Sequence, residues 1–362
     1  MPKIIAFCGQ KDYLSNMYLC SVTKAGKKLH CSEAGYQYGK AWIAEDNTLA
    51  DRIACAQTGF EAKRLSKQVK TKTKQWDQCK LAIIKGVVYS KFLQNPDLLQ
   101  NLMNTQSAVL VEAASDKIPA FRRDLFYSAG LTKAELSRFS SSRFPGKNFM
   151  GNLLMEIRSS LRDNSFATMI VITDSQGYRL PKITNANMEI VPVSGARIQD
   201  LIKIACMAVH DKHRQCVILG GTNNIASDPW IPKYANDGAI QPRLVKDITR
   251  QFRGIRHFSN QFPSVKLWLG EIPPRFDQPH DVPSKPSKFQ LTVKRVNKEL
   301  NKLVVSLQDS GHNIDILPMY EDFKDESYFA ERNNGRSSID LHFNEEGGRK
   351  LQTKLISLIN FS

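Results

Sequence analysis

The chain of 362 residues has no paired cysteines: its seven stand singly, odd in number and without a C-x-x-C pair. That argues against a secreted disulfide framework and any standard zinc ligand set. No apolar run reaches membrane-spanning length, and the opening residues MPKIIAFCGQ carry no signal-peptide hydrophobic core. The expectation is a reduced, intracellular protein, cytoplasmic or nuclear, with no membrane partner, no metal and no cofactor. Acidic residues are also scarce, at 35 Asp+Glu against 51 Lys+Arg, a net charge of +16. Residues 1–163 carry most of the excess, with 25 basic against 14 acidic residues, while the remainder holds 26 against 21. Lys63, Arg64, Lys67, Lys70, Lys72, Lys74, Lys80 and Lys85 crowd one segment. Such a run either binds nucleic-acid phosphates by counterion release or forms a solvated face.

The length allows two cores. Residues 3–7 read as a short strand, and 19–29 as a hairpin turning at Ala25-Gly26-Lys27. Helical spacing follows over 48–56, 59–69 and 76–93, where Leu81, Ile84, Val88 and Phe92 recur, and again after Asn95-Pro96. Residues 108–112 (AVLVE) form a strand candidate, 114–146 are mostly irregular, and 148–161 form a last helix. The first domain, residues 1–163, is therefore expected to be mainly α, of α+β class. After the polar stretch Arg162-Asp163-Asn164-Ser165 the pattern changes. Apolar runs at 167–173, 188–193, 216–219, 265–269 and 314–317 alternate with helices at 198–209, 242–258, 291–307 and 345–359. Continuous apolar strands between helices predict a parallel sheet covered on both faces, so residues 166–362 are expected to form a three-layer α/β domain. A loop over 273–286 holds five prolines.

Within the first domain, Cys31–Trp42 read as a helix puts Glu33, Gln37 and Lys40 on one face at spacings of four and three. It follows Tyr13-Leu-Ser-Asn-Met-Tyr18. It precedes Trp76-Asp77, Lys91-Phe92, Asp124-Leu-Phe-Tyr127 and Gly146-Lys-Asn-Phe-Met-Gly-Asn-Leu-Leu-Met-Glu-Ile-Arg158. This ordered series resembles the NADAR family over roughly residues 5–163, with Tyr127 where the family usually has Trp. The resemblance implies an N-glycosidase acting on ADP-ribose-type or aminated ribose-phosphate substrates. Glu33 would then face the developing cation or activate water, and Lys40 would be a candidate amine nucleophile. Asp124 would grip ribose hydroxyls, Asn16 and Asn148 would fix base or phosphate, and Gln37, Trp76 and Tyr127 would complete the substrate contacts. Each residue also has a structural reading: a solvated Glu/Lys pair, a turn cap at Asn16, core packing for Tyr127, a helix cap at Asn148, and packing at Gly151.

In a parallel sheet of this kind ligands bind beyond the carboxyl ends of the strands. The residues there are Asp174-Ser175, Ser194-Gly195, Gly220-Gly-Thr-Asn-Asn224 and, before the last helix, His342. A nucleophile, oxyanion donors and a base are the parts acyl transfer requires. These landmarks resemble the SGNH (GDSL-type) hydrolases over about 166–360. The resemblance implies Ser175 as nucleophile, His342 as base, and Gly195 and Asn223 at the oxyanion. Ile339 stands where that family has its orienting acid, with Asp340 one place later. Two expectations therefore compete. One is an N-glycosidase that removes ADP-ribose from guanine in nucleic acid, single strands preferred, fused to an esterase-like domain. The other is a non-catalytic ADP-ribose or nucleic-acid reader with an eroded hydrolase scaffold.

Overall fold

The computed structural model describes residues 3–71, 73–138, 143–181, 187–226, 242–274, 288–331 and 339–360. Contacts divide the chain into two units, Met1–Thr71 with Ala82–Phe166, and Lys72–Leu81 with Ala167–Ser362. Lys72 of the basic run, residues 275–286 of the proline-rich loop and the stretch 332–338 lie outside the described residues.

The first unit is helix-rich with short strands, as its apolar spacing predicts. Its elements are β1 (Ile4–Phe7), β2 (Val22–Lys24), β3 (Lys27–Leu29), α1 (Ser32–Ile43), α2 (Asn47–Ala54), α3 (Gly59–Ser66), α4 (Thr73–Leu93, of which the part through Leu81 groups with the second unit), α5 (Pro96–Met103), β4 (Val109–Glu112), α6 (Lys133–Leu136) and α7 (Phe149–Asp163). Strands β2 and β3 pair antiparallel across Ala25-Gly26, both at positive φ, the geometry of a tight hairpin turn. Strands β1 and β4 pair in parallel, Ile4 opposite Val109 through Phe7 opposite Glu112. A parallel pair needs a long crossover, and here α1 to α5 supply it. Helix α1 is held at its start by the Cys31 side chain, which accepts from the Ala34 amide. Ten of its twelve residues are buried.

The second unit is a parallel sheet flanked by helices. Its elements are β5 (Met169–Thr173), β6 (Met188–Pro192), α8 (Ile198–Ala208), β7 (Gln215–Leu219), α9 (Thr222–Ala226), α10 (Pro242–Gln251), α11 (Gly254–Gln261), β8 (Lys266–Gly270), α12 (Lys288–Asp309), β9 (Ile314–Leu317), β10 (Phe329–Glu331), β11 (Ile339–Phe343) and α13 (Glu345–Asn360). The five-stranded sheet runs β6-β5-β7-β8-β9, all parallel. In order of appearance that is 2-1-3-4-5, the flavodoxin-like doubly wound order. Every residue of β5 and β7 is buried, whereas the edge strands β6 and β9 are only partly so. This explains why the central strands read as unbroken apolar runs. One core layer joins Met169, Val171, Val217, Phe323, Phe343 and Leu355.

Two expectations need correction here. The single helix expected over 242–258 is two, α10 and α11, broken at Arg253-Gly254. Bonds from the Phe252 amide to Thr249 and from the Ile255 amide to Phe252 tighten the chain there, where glycine is a poor helix former. The last strands, β10 and β11, form an antiparallel hairpin outside the main sheet, which the spacing of apolar runs did not announce. No helix among the described residues is long and apolar enough to cross a membrane.

Candidate active sites

In the first unit a cavity of about 580 Å³ gathers side chains from distant parts of the chain: Asn16, Glu33, Gln37, Lys63, Glu112, Asp124 and Tyr127. Local structure explains how each arrives. The loop bearing Asn16 is pinned by Lys91, whose Nζ donates to the carbonyls of Tyr13 at 2.6 Å and Ser15 at 2.8 Å. Lys91 is fully buried, and burial pushes its amine down to about 8. The Asn16 carbonyl accepts the Glu33 amide at 3.0 Å, which ties the loop to the start of α1. Glu33 is 7% and Gln37 6% exposed, so this face of α1 is not a solvated stripe. Gln37 Nε2 donates to Glu33 Oε1 at 2.8 Å.

Burial raises the Glu33 carboxyl above its ordinary range, while the Lys63 charge and the Gln37 bond act the other way. A second carboxylate lies in the same cavity. Glu112 ends β4, and its Oε2 is buried without a hydrogen-bond partner among the described residues. Burial first, then the charges of Glu33 and Asp124, push Glu112 up to about 8. Asn16 Oδ1 is likewise buried without such a partner, and Asn16 Nδ2 makes only a 3.6 Å contact to Met150 Sδ. Unsatisfied buried polar atoms lining a cavity are the places where a ligand's own donors and acceptors fit.

Asp124 Oδ1 accepts the amides of Phe126 and Tyr127, both at 2.8 Å, and so shapes the turn that presents Tyr127. The Tyr127 hydroxyl bonds that of Tyr36 at 3.0 Å, and its ring meets Phe126 and Phe149 edge-on. Phe60 and Ile118, both exposed, stand at the cavity margin.

Three residues named from the sequence are not among those lining the cavity. Lys40 is half-buried, its amine lowered by burial, and its Nζ donates to the Ser66 carbonyl at 3.4 Å. Trp76 is buried in the part of α4 that groups with the second unit. Asn148 is buried at φ 50°, with Oδ1 accepting the Glu112 amide and Nδ2 donating to the Leu110 carbonyl, both at 2.9 Å. It does not cap α7 with its side chain. It clamps that helix to β4 and thereby fixes Glu112. Gly151 serves the same junction, because a Cβ there would lie 2.1 Å from the Leu110 carbonyl oxygen. Arg158 completes the far end of the junction, donating to Thr105 Oγ1 at 2.6 Å and to the Ala108 carbonyl at 2.9 Å.

Of the basic run, Lys63 lines the cavity, while Lys80 pairs with Asp77 at 2.6 Å and Lys85 with Glu156 at 2.9 Å. Sequence reasoning missed Glu112 and Tyr36. The available signal for Glu112 was a lone carboxylate ending an otherwise apolar strand.

The second site lies where the sheet order reverses, beyond the carboxyl ends of β5 and its neighbours β6 and β7. Ser175 Oγ and His342 Nε2 are 2.8 Å apart. Gln176 Oε1 accepts the Phe343 amide at 2.9 Å, locking the serine turn to β11. Gly195 adopts φ 71°, and the neighbouring Ala196 carbonyl accepts the Asn223 side-chain amide at 2.9 Å. Asn224 Oδ1 accepts the Ile198 amide at 2.9 Å, joining α9 to the start of α8. Asp174 is fully buried. Burial pushes its carboxyl up to about 6, against the Gln176 amide and the charge of His342. The backbone runs as strand through Ile339–Phe343, and the side chains of Ile339 and Asp340 lie outside the described residues. Among the described residues no cluster of His, Cys, Asp or Glu could hold a metal ion.

Residues 6–162 match the family model described as the NADAR domain. Over 84 residues the chain is 38% identical to the N-glycosidase R617 of Acanthamoeba polyphaga mimivirus, covering 23% of this chain and 45% of that protein. The solution structure of the Escherichia coli protein YbiA aligns at TM-score 0.36 and 24% identity, over 45% of this chain and 87% of YbiA. A carbohydrate esterase of family 3 from Talaromyces cellulolyticus aligns at TM-score 0.34 and 14% identity, over 54% of this chain and 98% of that one. The chain spans between 39% and 61% of the lengths of the curated relatives it matches.

Proposed function

We propose, from the premise that residues 6–162 are a NADAR-family domain followed by a three-layer α/β domain of SGNH type, that the protein is an N-glycosidase acting on ADP-ribose-type substrates. The observation that carries this reading is a pair of carboxylates in one cavity, Glu33 buried and Glu112 half-buried with its Oε2 enclosed. Breaking an N-glycosidic bond needs a proton for the departing base and a negative charge facing the cation that builds on the anomeric carbon. Burial raises both carboxyls, and their differing neighbours assign the two roles. Glu112, raised to about 8, holds a proton at neutral pH, and the Gln37 bond favours the charged form of Glu33.

In the proposed step the C–N bond breaks, its electron pair leaves with the base, and the Glu112 proton goes to that base. Water adds to the anomeric carbon and its proton goes to a carboxylate. Lys40 is the alternative nucleophile. Burial favours its neutral amine, and attack through it requires release of a single long bond to Ser66. Borohydride separates the routes: covalent trapping of substrate on wild type but not on Lys40→Ala supports the amine. Full turnover of Lys40→Ala with no trapping leaves water as the nucleophile. Asp124 then grips ribose hydroxyls, Asn16 Oδ1 accepts a donor of the base or Asn16 Nδ2 donates to a phosphate, and Tyr127 packs against the base.

The finer reading is removal of ADP-ribose from guanine in single-stranded nucleic acid, supported by the basic excess of residues 1–163. Incubating the chain with single-stranded DNA bearing ADP-ribosylated guanine, and measuring restored unmodified strand, tests it. Binding without turnover would instead favour a reader. For the second domain we propose a serine esterase site. His342 deprotonates Ser175, to which it is bonded at 2.8 Å, and the Gly195 amide and Asn223 receive the oxyanion. An ester of a short acyl group is the substrate class, and a fluorophosphonate probe on Ser175 is the test.

A further inference from the structure

The second unit holds a groove of about 630 Å³ between α10 and α12, away from the Ser175–His342 pair in its lining. One wall presents Lys246, Arg250 and Arg253, and the other Arg295, Lys298 and Lys302. The spacings are four and three on the first wall and three and four on the second, so each row occupies one helix face or its continuation. Opposite faces are apolar and packed inward: Ile248 and Phe252 on one side, and Val293, Val296, Leu300 and Val304 on the other. All six cations are exposed.

Glu299 is the acid in the lining among the described residues, and it pairs with Lys302 at 2.7 Å. Two rows of like charge across one groove repel each other. Nothing in packing α10 on α12 requires both rows, since either could be neutral without disturbing the buried faces.

We propose that this groove binds the phosphate backbone of single-stranded nucleic acid. At 1.5 Å per residue each row is roughly 10 Å long, room for about two or three successive phosphates of an extended strand. A concave groove between packed helices suits an extended strand better than the plane of a membrane. Val245, Thr249 and the aliphatic stems of the lysines and arginines give bases an apolar floor. The inference stands apart from the glycosidase reading, because it uses no residue of the first unit and no turnover.

The test uses the full chain and a dye-labelled single-stranded oligonucleotide of mixed sequence, titrated by fluorescence anisotropy at several salt concentrations. Replacing Arg250, Arg253, Arg295 and Lys298 together by Gln should weaken binding at least tenfold. It should also lower the salt slope by roughly 2 to 3, from about 0.7 per lost phosphate contact. The same three arginines changed to Lys should bind as wild type. On wild-type protein, bound oligonucleotide should slow acylation of Lys246, Lys298 and Lys302 by an amine-reactive ester, read by mass spectrometry. This second measurement needs no variant to fold. Unchanged affinity and slope in the Gln variant, or no protection of the three lysines, overturns the proposal. So does loss of binding to phosphatidylserine vesicles while oligonucleotide binding persists.

Discussion

In the first unit, Glu33 and Glu112 reach one cavity from the start of a helix and the end of a strand, and burial raises both carboxyls. In the second, Ser175 and His342 meet at 2.8 Å beyond the end of β5, and the sheet order places them. The first site is shaped by desolvation, the second by topology. A desolvated pair is sensitive to any change that admits water or charge. A dyad at a switch point depends on the turns that aim it, such as the Gln176 bond to the Phe343 amide.

The sharpest way to break the comparison is to disable each site and assay both. Glu33→Gln should lower glycosidic cleavage by about 10³-fold or more while leaving fluorophosphonate labelling of Ser175 unchanged. Ser175→Ala should abolish labelling and leave cleavage within about twofold. If either substitution silences both activities, the sites are not chemically separate. A smaller effect sharpens the roles within the first site. Glu112→Gln removes the proposed proton donor and should cost about 10²–10³ in rate. Wild-type turnover should fall as pH rises through about 8, where Glu112 loses its proton, and that limb should vanish from the residual activity of the variant.

How much of this was legible depends on how local the determinants are. The five sheet strands were readable because buried parallel strands are continuous apolar runs, as in Met169–Thr173 and Gln215–Leu219. The Glu33/Gln37 stripe was readable because helical spacing is a local property. Glu112 was not. Its place in the cavity depends on β4 pairing with β1, more than a hundred residues away in sequence, and on the Asn148 clamp. Asn148 could be named from the sequence, but not its role: its left-handed backbone and two bonds to β4 appear only once α7 and β4 meet. The β10–β11 hairpin that carries His342 was hidden because its strands are short and its register is irregular.

That clamp supplies the next test. Asn148→Ala removes two buried bonds to the β4 backbone and leaves a non-glycine residue at positive φ, so it should destabilise the first unit by about 2–4 kcal/mol. Gly151→Ala forces a carbon against the Leu110 carbonyl oxygen and should cost a comparable amount. Both are read as shifts in the denaturant midpoint. A stable Asn148→Ala protein with weakened substrate binding would return Asn148 to the substrate contacts.

The smallest effect expected is on stability against pH, and it tests the desolvated side of the comparison without any substrate. Glu112 is raised from 4.5 to about 8 by burial and by the charges of Glu33 and Asp124, opposed by Lys63. A carboxyl raised in the folded state binds its proton more tightly there than in the unfolded chain. Its contribution to stability is complete below about pH 4.5 and is lost as pH rises through about 8. Replacing it with Gln, which cannot ionise, should leave the thermal midpoint unchanged near pH 4 and raise it by on the order of 5 °C near pH 8. Glu33→Gln should act in the same direction, because its carboxyl is also raised by burial. Replacing His342 in the second unit should leave this difference between pH 4 and pH 8 in place. A Glu112→Gln midpoint that follows the wild type at both pH values would mean that water reaches this carboxylate, and that desolvation does not hold its proton.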